Sequence, residues 1–103
     1  MTTYKILQAK DIETCLYAFR SWECASAKGF SLDDYKVVYE APIGLENCRE
    51  AKLTLLDICE ILFVKFNCER PKDFYGHSLS VSDCIMIGDK LFYCDLCGWT
   101  RIK

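Results

Sequence analysis

The chain predicts an α+β fold: a small mixed or antiparallel sheet of about four strands with two helices, in the order β-α-β-α-β-β. Three observations carry this expectation. The stretch LTLLDICEILFVKFN places Leu55, Cys59, Leu62 and Phe66 at helical spacing. CIMI (84–87) and LFYC (91–94) are short apolar runs separated by a glycine-containing turn. YKVVYEA (35–41) has the β-branched and aromatic content of a strand, and Pro42 helps to end it.

The elements follow in chain order. TYKILQ (3–8) reads as the opening strand. Residues 11–20, DIETCLYAFR, are compatible with strand or helix. Ser21 suits the N-cap of a short helix, WECASAK, with Gly29 as its left-handed terminator. The main helix is expected over 55–66. Thr54 and Asp57 have the spacing of a capping box, and Asn67 suits a left-handed stop. Its apolar stripe, with Ile58 and Phe63 flanking, is expected to lie across one face of the sheet. ERPKDFYG then turns at Pro71 and Gly76, and Gly88-Asp89-Lys90 makes a three-residue hairpin connection. In the closing DLCGWTRI, Gly98 permits a bend before Trp99.

Composition narrows the function. At 103 residues, 51% hydrophobic and 14% aromatic, the chain can bury a core as one domain, 1–103. A net charge of −2 gives no global footprint for nucleic acid. Arg20, Lys28, Lys65, Arg70, Lys72, Arg101 and Lys103 are scattered, as on a solvated face. The opening MTTYKILQAKD lacks the apolar core of an export signal, and no apolar run reaches the ~20 residues of a membrane span. A cytoplasmic protein is expected. The eight cysteines are then read mostly as free thiols, with Cys59, Cys84 and Cys94 filling apolar positions.

The most chemically loaded run is GHSLSVSDC, residues 76–84. His77 and Asp83 are candidates for acid–base work. An extended run would separate them by roughly 20 Å, however, too far for a Ser-His-Asp triad. No Gly-x-Ser-x-Gly elbow is present. In a curled loop, the hydroxyls of Ser78, Ser80 and Ser82 would instead satisfy local backbone groups. Cys94-x-x-Cys97 has metal-knuckle spacing, and Cys84 and His77 could complete four ligands. Within one strand, Cys94 and Cys97 would point to opposite faces. No catalytic set, metal or cofactor is therefore assigned.

The segment Leu55–Asp83 resembles the YodL-like domain family through FN (66–67), P-x-D-F (71–74) and above all GHSLSVSD (76–83). Tyr4, Ile6 and Gln8, the Val38-Tyr39 pair and Tyr93 to Gly98 extend the likeness over nearly the whole chain. The family has an aromatic residue where this chain has Cys97, so the cysteine pair is not part of the pattern. The resemblance implies a small domain of Firmicutes and their mobile elements, without a settled enzymatic activity. It implies a cytoplasmic binding module, with Phe74, Tyr75, His77, Ser78, Ser80, Ser82 and Asp83 as candidate contact residues. The expected function is a non-enzymatic inhibitor of a host defence system, of anti-CRISPR or anti-restriction type. Its partner would be a host protein such as a nuclease or nucleoprotein complex. The alternatives are an adaptor in conjugation or the cytoskeleton, and a nucleic-acid-acting enzyme using His77 and Asp83.

Overall fold

The computed structural model describes residues 3–43, 53–74 and 76–103. The strands are β1 (Thr3–Ala9), β2 (Tyr35–Pro42), β3 (Cys84–Ile87), β4 (Lys90–Asp95) and β5 (Gly98–Arg101). Helix α1 (Trp22–Ala27) lies between β1 and β2, and helix α2 (Leu55–Cys68) between β2 and β3. All pairings are antiparallel, in the order β2-β1-β3-β4-β5. The α+β class is as expected, with one strand more than the sequence suggested. The bend foreseen at Gly98 is a hairpin: Gly98, at φ 81°, pairs with Asp95 and opens β5.

Two further expectations are corrected. Lys90 pairs with Ile87, so the β3–β4 turn has two loop residues, Gly88 and Asp89, instead of three. Gly88 supplies the positive φ, 61°, that such a tight turn requires. Asn67 does not end the main helix, which runs on to Cys68. Its side-chain amide accepts from Leu79 N–H at 2.7 Å and donates to Leu79 C=O at 3.2 Å. A long-range partner thus claims the group that sequence assigned to a local stop.

Other local signals act as read. Ser21 Oγ accepts from Cys24 N–H, capping α1. After α1, Phe30 N–H reaches Ala25 C=O and Gly29 N–H reaches Ser26 C=O, the paired bonds of a Schellman motif. Thr54 and Asp57 form the full capping box of α2. Residues 11–20 fold as successive turns and belong to neither a strand nor a helix.

Alternation along the strands divides the interior into two layers. Tyr4, Ile6, Ile85, Ile87 and Phe92 face α2, which answers with Ile58, Cys59, Leu62 and Phe66. Phe66 lies at the centre, edge-on to Tyr4, Tyr39 and Phe74 at centroid distances of 6.2, 5.1 and 4.9 Å. On the opposite face, Leu7, Tyr35, Cys84, Leu91 and Tyr93 are covered by α1 and the segments on either side of it, through Tyr17, Trp22, Ala25 and Phe30. Each large apolar side chain withdrawn from water contributes about 1.5–3 kcal/mol. Among the described residues no helix is long and apolar enough to cross a membrane.

Phe66→Ala removes the ring shared by three aromatic partners. It is expected to lower unfolding free energy by about 3–5 kcal/mol, read from the urea midpoint at an unchanged denaturant slope.

Candidate functional site

The inward row of β1 reads Tyr4, Ile6, Gln8, so the strand that begins as core ends on a buried amide. Gln8 is only 1% exposed. A buried amide must find partners for two N–H groups and an oxygen. The loop from Gly76 to Asp83 supplies them. Gln8 Nε2 donates to His77 C=O at 2.8 Å and to Asp83 Oδ2 at 3.1 Å, while Oε1 accepts from His77 N–H at 3.2 Å. Gly76 makes room for this: a methyl group there would overlap Gln8 Oε1 and lie 2.9 Å from the Phe74 ring.

The run is therefore curled, and the separation expected from an extended chain is overturned. His77 Nδ1 and Asp83 Oδ2 are 3.9 Å apart. At that distance they are not hydrogen-bonded to each other as a catalytic dyad requires. Nδ1 lies 2.7 Å from Ser78 C=O, a group that only accepts, so Nδ1 carries the hydrogen and points it at that carbonyl. Asp83 Oδ2 accepts from Gln8 and from Ser80 N–H at 2.9 Å. The neutral ring consequently keeps its lone pair on Nε2, with the imidazole partly exposed beside a cleft of about 670 Å³ lined by Gln8, Lys10, Asp11, Lys36 and Gly76.

The serines do not supply a nucleophile to that ring. Ser78 Oγ accepts from the Arg70 guanidinium, and Ser80 Oγ donates to Ser78 C=O. Ser82 Oγ accepts from Phe19 N–H at 3.0 Å, across the sheet from His77. Ser82 is itself buried with φ 83°, and its carbonyl accepts from the Tyr35 hydroxyl. Of the residues expected at a contact surface, Phe74, Ser82 and Asp83 are buried. His77, Ser78 and Ser80 are partly exposed, and Tyr75 lies outside the described residues.

The metal candidates are not brought together. Cys84 and Tyr93 are cross-strand partners and share a face, so Cys94 points to the other face. Cys97 is exposed in the β4–β5 turn. Among the described residues no group of three or more His, Cys, Asp or Glu could hold a metal ion. Burial pushes the thiols of Cys59 and Cys94 up to about 12 and that of Cys84 higher still, opposing the thiolate that metal binding or redox exchange needs.

Gln8 is the residue that reading GHSLSVSD as a site by itself leaves out. The available signal was an amide in the third inward position of a strand whose first two are Tyr4 and Ile6. A buried glutamine clasped by a glycine-initiated polar loop, on an antiparallel sheet with helices on both faces, defines a small α+β domain organised about a structural polar core. The YodL-like domain model matches residues 3–103, and the chain belongs to that family. No curated protein and no solved structure gives a significant match.

Burial pushes the Asp83 carboxyl up, to about 6, despite the opposing pull of Ser80 N–H, His77 and Gln8. The folded chain then holds a proton that the unfolded chain releases near its ordinary value of about 4. Stability from this group is complete below about pH 4 and falls as pH rises through about 6. Asp83→Asn is expected to remove that slope, as checked by urea unfolding at stepped pH. Gln8→Leu conserves volume but takes the glutamine partner from His77 N–H, His77 C=O and Asp83 Oδ2, the last left with Ser80 N–H. A loss of about 3 kcal/mol or more is expected in the same assay.

Proposed function

We propose that this domain is a non-enzymatic protein-binding module that docks through the turn at Leu16–Phe19. The observation supporting this reading is the backbone of Phe19. A bulky residue at positive φ is a strained outlier, and Phe19 has φ 61°. Such a conformation costs on the order of 1–3 kcal/mol and persists where the surroundings enforce it. Here Ser82 Oγ holds the Phe19 N–H, the Tyr93 hydroxyl holds Arg20 C=O at 2.7 Å, and Asp95 holds Trp22 N–H at 3.2 Å. The strain does not serve the core, because the Phe19 side chain is left 49% exposed and Leu16 71% exposed beside it. A rigidly held aromatic with an apolar neighbour is the form that interface anchors take.

The GHSLSVSD loop then acts from beneath, through Ser82, and its remaining hydroxyls are engaged by Arg70 and by Ser78 C=O. This favours binding over catalysis. The cytoplasmic mobile-element setting implied by the family resemblance points to a host defence protein, such as a restriction or CRISPR nuclease, whose inhibition follows from occlusion. That choice of target is an analogy of context.

Pairwise titration against purified candidate nucleases separates the readings. Phe19→Ala is expected to weaken the complex at least about tenfold, whereas His77→Ala leaves it intact. Loss of the biological effect in His77→Ala, with binding and fold preserved, would instead support an enzyme using the Nε2 lone pair at the cleft.

A further inference from the structure

Helix α2 and the β4–β5 hairpin enclose an open hollow of about 160 Å³. Clefts for whole small-molecule ligands run from roughly 300 to 1,000 Å³, so this one has room for the head of a single side chain. Glu60 and Phe63 line it from the helix, and Cys94, Leu96, Gly98 and Trp99 from the hairpin. Trp99 lies on the helix side of the sheet because it is the cross-strand partner of Cys94. The Phe63 and Trp99 rings stand at 80° to each other, with centroids 6.3 Å apart, and so form an aromatic corner.

The charge at this corner is of one sign. Asp95 also borders the hollow, but its carboxylate is turned to the other face of the sheet, where Trp22 N–H and the Thr100 hydroxyl donate to it at 3.2 and 2.7 Å. Glu60 is different. A methyl group on Gly98 would lie 3.5 Å from Glu60 Oε1, so the carboxylate reaches over the hairpin turn. Among the described residues it has no ion-pair partner, and no lysine or arginine lines the hollow.

That combination selects the occupant. An apolar side chain seated here would cover the Glu60 carboxylate without pairing it, a costly arrangement. A cation pairs it and is attracted to the aromatic rings as well. Of the basic side chains, arginine suits the corner better than lysine. Its planar guanidinium stacks on a ring while its fork of N–H groups meets a carboxylate. Leu96, at the rim and 67% exposed, offers an adjoining apolar contact that a free small cation leaves unused. We propose that the hollow between α2 and the β4–β5 hairpin is a docking site for an arginine side chain of a partner protein, with an apolar neighbour of that arginine resting on Leu96. The site is separate from the Leu16–Phe19 surface, which belongs to the segment covering the opposite face of the sheet, where Tyr17 is buried among Leu7, Tyr35 and Tyr93. It stands whether or not that surface binds a nuclease.

NMR titration of the isotope-labelled full chain with acetyl-Arg-Leu-amide tests the proposal. The Trp99 indole N–H and the Gly98 amide are expected to shift saturably, while the Trp22 indole, on the other face, stays in place. Replacing the arginine by citrulline keeps the shape and removes the charge, and should weaken binding at least about tenfold. Glu60→Gln should do the same, with circular dichroism and thermal unfolding confirming that the variant is folded. Leu96→Ala should weaken the peptide but leave binding of methylguanidinium unchanged. Absence of a saturable shift at Trp99 overturns the site, as does equal binding of the citrulline peptide or indifference to Glu60→Gln. Methylguanidinium binding as tightly as the peptide, or a peptide indifferent to Leu96→Ala, overturns the partner protein in favour of a small organic cation. Tighter binding of acetyl-Lys-Leu-amide overturns the choice of arginine.

Discussion

Burying the Gln8 amide imposes a condition that much of the surrounding structure exists to meet. An amide in an apolar layer is costly unless its donors and acceptor are all paired, and β1 cannot pair them because its ladder bonds belong to the backbone. The partners must arrive from a distant part of the chain, and they arrive as His77 and Asp83. Once those groups are fixed, Gly76 must be bare, Ser80 must turn back onto Asp83, and the chain must enter β3 immediately afterwards. The hydrogen bonds between Asn67 and Leu79 tie the same loop to α2. One buried side chain thus sets the register of a loop that connects the helix layer to the sheet.

The reach of this arrangement extends to the other side of the sheet. Ser82 stands beside Asp83 in sequence, but its hydroxyl serves the turn at Phe19 and its carbonyl receives Tyr35. Tyr17 and Tyr93 likewise end in hydrogen bonds to Asp34 and Arg20. The aromatic layer beneath the N-terminal turns is therefore more than filling. Each tyrosine packs its ring and uses its hydroxyl to hold a loop without regular structure of its own. Exposed apolar side chains on that segment are consequently held in a defined geometry.

The candidate site illustrates what spacing in a sequence can and cannot say. His77 and Asp83, six positions apart, looked too distant on the assumption of an extended run. The loop brings them to 3.9 Å, and the amide of Gln8 takes the hydrogen-bonding capacity that a dyad would have used. Proximity and direct hydrogen bonding are therefore separate here. The cysteine pair separates in the opposite sense: Cys94 and Cys97 are close in sequence, yet one is buried in a strand and the other exposed in a turn.

Local chemistry made much of the fold legible from the sequence. The caps at Ser21 and Thr54, the stop at Gly29 and the stripe of α2 each depend on neighbours within a few residues, and a linear pattern records them. The likeness of GHSLSVSD to one family was legible too, because it resides in residue order. The fifth strand was not, since Gly98–Arg101 becomes a strand only by pairing with β4. Asn67 was misread because its local preference lost to Leu79, twelve positions away. The role of Gln8, the curl of the loop and the strained presentation of Phe19 were settled only when β1, the loop before β3 and the N-terminal turns met. A buried polar group chooses its partners in three dimensions, and the sequence shows the group without showing the partner.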